Sequence, residues 1–105
     1  MSLYAVTRRQ NWDPSLTMEQ QPKWDEHAAF MDDLVDRGVI VLGGPLRGAQ
    51  KVLMVFDAES VEAIEATLAD DPWTQMGLLT TKEIEAWELR LGRDVLSRTS
   101  SARHS

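Results

Sequence analysis

Two short, unbroken apolar runs with a glycine-rich link between them restrict what this chain can fold into more than any other feature. Val39-Ile40-Val41-Leu42 and Val52-Leu53-Met54-Val55-Phe56 have strand length and strand composition. The link holds Gly43-Gly44-Pro45 and Gly48, residues that favour bends, so the two runs read as a hairpin. Side chains alternate between the two faces of a strand. A run that is apolar at every position therefore asks for cover on both faces of its sheet.

The remaining elements can be placed around that hairpin. Residues 3–7 (Leu3-Tyr4-Ala5-Val6-Thr7) read as a first strand, and residues 8–21 as a long polar loop with a turn at Asp13-Pro14. Residues 22–37 read as a helix. Pro22 suits the first turn, Asp25 and Glu26 suit the positive end of the dipole, and Gly38 ends it. Trp24, His27/Ala28, Met31 and Leu34/Val35 recur at helical spacing, which puts His27 on or beside the apolar stripe. Ser60 reads as the cap of a second helix carrying Val61, Ile64 and Leu68. Asp71-Pro72 opens a further short turn that Gly77 closes, and residues 78–91 are strand-like with Ile84 and Ala86 on one face, although the Glu-rich stretch is also compatible with a helix. Residues 1–91 thus form one domain, and residues 92–105 a polar tail expected to fray.

The order β-α-β-β-α-β is that of an α+β, ferredoxin-like fold: a four-stranded antiparallel sheet with both helices on one face. The chain has 105 residues and 43% hydrophobic composition, enough for one modest core. Nothing is left over to cover the second face, so a homodimer with sheets packed face to face is expected.

Composition removes several function classes. A net charge of −6 disfavours nucleic acid and anionic membranes as partners. With no cysteine there is no disulfide and no thiolate chemistry, and one histidine outside the tail makes a metal site unattractive; no cofactor is expected. No signal peptide and no run of about 20 apolar residues is visible, so a cytoplasmic location is expected.

The chain resembles the YCII-related proteins, in the dimeric α/β-barrel group of ferredoxin-like folds. The resemblance is carried by His27-Ala28-Ala29-Phe30-Met31 followed by Gly38, by Gly44-Pro45, and by Ser60-Val61-Glu62-Ala63. Asp71-Pro72-Trp73, Gly77 and the last strand, residues 84–87, complete it. It implies an active site built on a His–Asp pair, here His27 and Asp71, and relatives that act as lyases, dehydrohalogenases or isomerases of small ring compounds.

Read without that resemblance, His27 is a core histidine bonded to a backbone carbonyl, and Asp71 is a helix cap. With it, His27 becomes a general base or acid and Asp71 the carboxylate that orients it; a carboxylate has acceptor capacity for both tasks. Trp24 and Trp73, beside the pair in sequence, are candidates for an apolar wall against a flat ring or for plain core packing. Gly43, Gly44 and Pro45 could let a ligand approach the backbone, or merely bend a strand end. Arg8 and Arg9 follow the first strand and could hold a carboxylate or phenolate, against the ordinary reading of surface arginines. The expected function is a small cofactor-free enzyme moving a proton on a small cyclic or carbonyl compound. The rival is a non-catalytic dimeric module that binds a small ligand, and a third reading is a dimer with no ligand and a solidly packed His27.

Overall fold

The hairpin forms, and it is longer than the apolar runs alone suggest. The computed structural model describes residues 2–48 and 50–92. In chain order these residues form β1 (Ser2–Gln10), α1 (Trp24–Asp36), β2 (Ile40–Leu46), β3 (Lys51–Ala58), α2 (Val61–Ala69), α3 (Pro72–Gln75) and β4 (Leu79–Ala86). The strands build one antiparallel sheet in the order β2-β3-β1-β4. This is the expected α+β arrangement, with the short α3 added. The polar tail, from residue 93 onward, lies outside the described residues.

Several boundaries moved for physical reasons. Gly43, Gly44 and Pro45 are inside β2 rather than in the turn, paired with Met54, Leu53 and Val52. A proline is tolerated there because β2 is an edge strand, with one side free of ladder bonds. The first strand runs three residues past Thr7, so Arg8 belongs to β1 and not to a loop. The first helix starts at Trp24: Lys23 takes a left-handed conformation (φ 59°), leaving Pro22 outside. The last strand stops at Ala86. Ser60 caps α2 as read, its hydroxyl accepting from the Ala63 N–H at 3.1 Å.

Val6, Ile40, Met54 and Phe56 point to one face of the sheet and pack with Leu34 of α1 and with Ile64 and Leu68 of α2. Each of these residues is at most 4% exposed. By the strict two-residue period of a strand, Leu3 and Ala5 of β1 and Leu53 and Val55 of β3 face the other way, and Leu42 pairs with Val55 on that side. Val55 is enclosed by its neighbours, but Leu42 and Leu46 of β2 and Trp87 after β4 stand 50%, 42% and 44% exposed. Among the described residues no helix is long and apolar enough to cross a membrane.

Candidate active site

Asp71 sits where the chain turns out of α2 into α3. With Pro72 at the first position of α3, Asp71 is the cap, and its Oδ1 accepts the Trp73 backbone N–H at 3.1 Å. The same Oδ1 lies 2.8 Å from His27 Nδ1, so the two groups, 44 residues apart in sequence, are in direct contact. The other oxygen, Oδ2, accepts from Arg8 at 3.2 Å and from the Thr74 hydroxyl at 3.5 Å. No part of Asp71 is exposed.

Arg8 is equally enclosed. Its strand face is that of Tyr4 and Val6, and a register shift against β4 occurs next to it, between Thr7 and Arg8. Such bulges re-aim a side chain at the cost of a ladder bond. The guanidinium bonds Asp71 through one terminal nitrogen; through the other it bonds the Thr74 hydroxyl and, at 3.3 Å, the Leu79 carbonyl. Arg8, a sequence candidate for holding a carboxylate or phenolate, borders the cavity onto which His27 opens, and its guanidinium is bonded to Asp71. Its Nε alone is buried without a partner.

Burial opposes ionisation of Asp71 most strongly. The hydrogen bond and charge of His27, the Trp73 N–H and Arg8 together outweigh it, and the carboxyl is held below its ordinary range. An ionised carboxylate can only accept, so His27 Nδ1 carries the hydrogen of their contact. In the neutral imidazole Nε2 then holds the lone pair, and it has no partner among the described residues.

Aromatic rings hold the imidazole in place. Trp73, fully buried, stacks on His27 with centroids 3.9 Å apart and planes 6° from parallel. Its indole N–H donates to the Pro22 carbonyl at 2.7 Å, tying α3 to the chain entering α1. Trp12 meets Trp73 edge-on at 5.3 Å. Trp24 packs against both His27 and Trp73, at 6.0 and 5.7 Å.

His27 opens on a cavity of about 300 Å³ between α1, the 8–21 segment and the sheet. Trp73, Gly44 and Pro45 line it; Trp24 does not, and packs against the His27 and Trp73 rings from outside the lining. Trp12, Met18, Met31 and the charged Asp32 also line the cavity, and sequence reasoning did not place them among the site residues. Met31 was within reach, one helical turn after His27. Trp12 and Met18 had no visible signal, because the loop that carries them is organised by Gln21. That side chain is buried. Its amide donates to the Asp13, Leu16 and Thr17 carbonyls, and its oxygen accepts the Asp13 N–H. The floor of the cavity includes Met54, which leans over Gly43 of the edge strand: a Cβ at position 43 would lie 2.7 Å from the Met54 Cγ.

A buried carboxylate bonded to a histidine thus stands at the edge of an apolar cavity. The chain belongs to the YCII-related domain family, which it matches over residues 3–88. Among solved structures it is similar to 5-chloro-2-hydroxyhydroquinone dehydrochlorinase from Burkholderia phenoliruptrix AC1100, solved in complex with 2,5-dihydroxybenzoquinone. Identity is 24% and the TM-score 0.66, over 84% of this chain and 95% of that one. No curated protein matches the chain.

Proposed function

We propose that the protein is a small lyase- or isomerase-type enzyme in which His27 Nε2 takes a proton from a small cyclic or carbonyl-bearing substrate. Asp71 holds the imidazole in the tautomer that leaves Nε2 basic and stabilises the imidazolium once formed. The observation that carries this reading is the 2.8 Å contact between His27 Nδ1 and a fully buried carboxylate, at the edge of an apolar cavity. Elimination and isomerisation suit it, because each begins with one positioned base removing one proton, and an apolar surround limits competing protonation by water. Trp12, Trp73, Gly44 and Pro45 all line the cavity, a lining suited to a flat ring. The family match and the dehydrochlorinase neighbour point the same way.

The test is chloride release and ring isomerisation across a panel of chlorinated hydroquinones, with wild type and His27→Ala. General-base loss is expected to lower turnover by about 10²–10⁴-fold, with ring binding retained. Ring binding by the wild type with no turnover of any panel member, and only an affinity change in His27→Ala, would favour a ligand-binding module instead.

We further propose that the working unit is a homodimer joined through the open sheet face. Leu42, Leu46 and Trp87 are large apolar side chains half-exposed on or beside that face, around the enclosed Val55. Sedimentation at micromolar concentration is expected to give twice the chain mass, and Leu42→Asp to shift it to one, since an unpaired buried charge costs several kcal/mol. A wild-type monomer at that concentration refutes the dimer.

A further inference from the structure

Arg8 stands where the core pattern of β1 calls for an apolar side chain. Val6 and Tyr4, two and four residues earlier on the same strand face, belong to the core or pack against it. Burying a guanidinium there is costly, and a well-packed apolar residue in place of a buried ion pair often serves stability as well or better. The unpartnered Nε adds to that cost. Stability alone does not account for this arginine, but the geometry around Asp71 does.

We propose that Arg8 is a positioning residue for His27, acting through Asp71: the guanidinium clamps Oδ2 and thereby decides which imidazole nitrogen keeps the lone pair. The inference rests on the reading of His27 as the proton-moving group. A guanidinium has donors only, so whatever faces Arg8 must be an acceptor. One oxygen of residue 71 is thus pinned to β1, while Thr74 and the Leu79 carbonyl hold the guanidinium from the other side. The remaining oxygen is left to the Trp73 N–H and to His27. The Arg8 hydrogen bond also joins those of His27 and the Trp73 N–H in keeping that carboxylate ionised against its burial, so it accepts from Nδ1–H rather than donating to it. Were the carboxyl to donate, the lone pair would pass to Nδ1 and Nε2 would carry the hydrogen, useless as a base. The charged groups bordering the cavity beside His27 are Arg8 and Asp32, with Asp71 behind the ring. Asp25 and Glu26 on α1 and Lys23 before it are exposed.

The clamp predicts a reversal that simple packing would not. In Asp71→Asn, Arg8 claims the amide oxygen, so the NH₂ faces Nδ1 and drives His27 to the Nε2–H tautomer. In Asp71→Asn with Arg8→Met, the claim is gone, the amide oxygen returns to the Trp73 N–H and to Nδ1–H, and the wild-type tautomer is restored. Long-range ¹H–¹⁵N NMR of the ring reads this directly at a pH where the imidazole is neutral, with His104, the other histidine, as internal reference. Wild type and Arg8→Lys should show the Nδ1–H form, Asp71→Asn the Nε2–H form, and the double variant the Nδ1–H form again. With an active substrate in hand, kcat should follow the tautomer and KM should not. If Asp71→Asn does not fold, Arg8→Gln carries the test. It keeps a donor to Asp71 but loses the charge, and should give a mixture with several-fold more Nε2–H than wild type. An unchanged tautomer in Asp71→Asn, no reversal in the double variant, or a pure Nδ1–H form in Arg8→Gln overturns the clamp. The NMR result does not depend on turnover, so failure of the clamp and failure of the enzyme reading are separate outcomes.

Discussion

Asp71→Ala is expected to destabilise the fold by about 3–5 kcal/mol, because it strands the Arg8 charge in the interior without a counter-ion. It also removes the cap of α3 and the partner of His27 Nδ1. For a domain of this size the fall in Tm should exceed about 10 °C. Adding Arg8→Met to Asp71→Ala should recover much of the loss, since the stranded charge is its main cause. The pH dependence has a definite sign. The Asp71 carboxyl is held below its ordinary value, so its contribution is complete above the unfolded-state value of about 3.9 and fades as pH falls through the lower native one. Wild type should therefore lose stability on acidification below about pH 4, and Asp71→Ala should lose less over the same range. Urea melts of the three proteins at neutral and acid pH decide the matter. A single variant within about 1 kcal/mol of wild type at neutral pH would show that the pair is not a committed buried ion pair.

Trp73→Ala should cost a comparable amount, about 3–5 kcal/mol, as expected when a large buried side chain is cut back to a methyl group. Its indole is fully enclosed, stacks on His27 and bonds the Pro22 carbonyl, so one substitution loosens α1, α3 and the imidazole together. Trp73→Phe should keep the stack and lose chiefly the hydrogen bond, for about 1–2 kcal/mol. Denaturant midpoints give both values. Equal losses for Ala and Phe would mean that the bond to Pro22, rather than packing, holds the ring.

How much of this was legible beforehand depended on range. The order of strands and helices could be read because each element carries its own period and cap, as with Ser60 before Val61 and Asp71 before Pro72. The contact between His27 and Asp71 could be anticipated from family resemblance, but not from spacing, since no local pattern joins positions 44 residues apart. The contact of Arg8 with Asp71 was hidden for the same reason. An arginine after an apolar strand looks like a surface residue, and its partner lies 63 residues on. Gly43-Gly44-Pro45 looked like a turn because those residues favour turns, yet an edge strand accepts them too. Trp12 and Met18 reach the cavity through a loop knotted around Gln21, and a side chain bonding to several backbone carbonyls leaves no trace in composition.

Met54 fits closely over Gly43. His27, Asp71 and Arg8 come from α1, the cap of α3 and the interior strand β1, where they are bonded to one another. The opposite wall belongs to the border strand β2, whose outer side answers to no neighbouring strand. A single methyl group at position 43 would displace the thioether and reshape the chamber without disturbing the imidazole. On the proposed reading, the size of what the chamber admits is set on one wall and the proton transfer on the other.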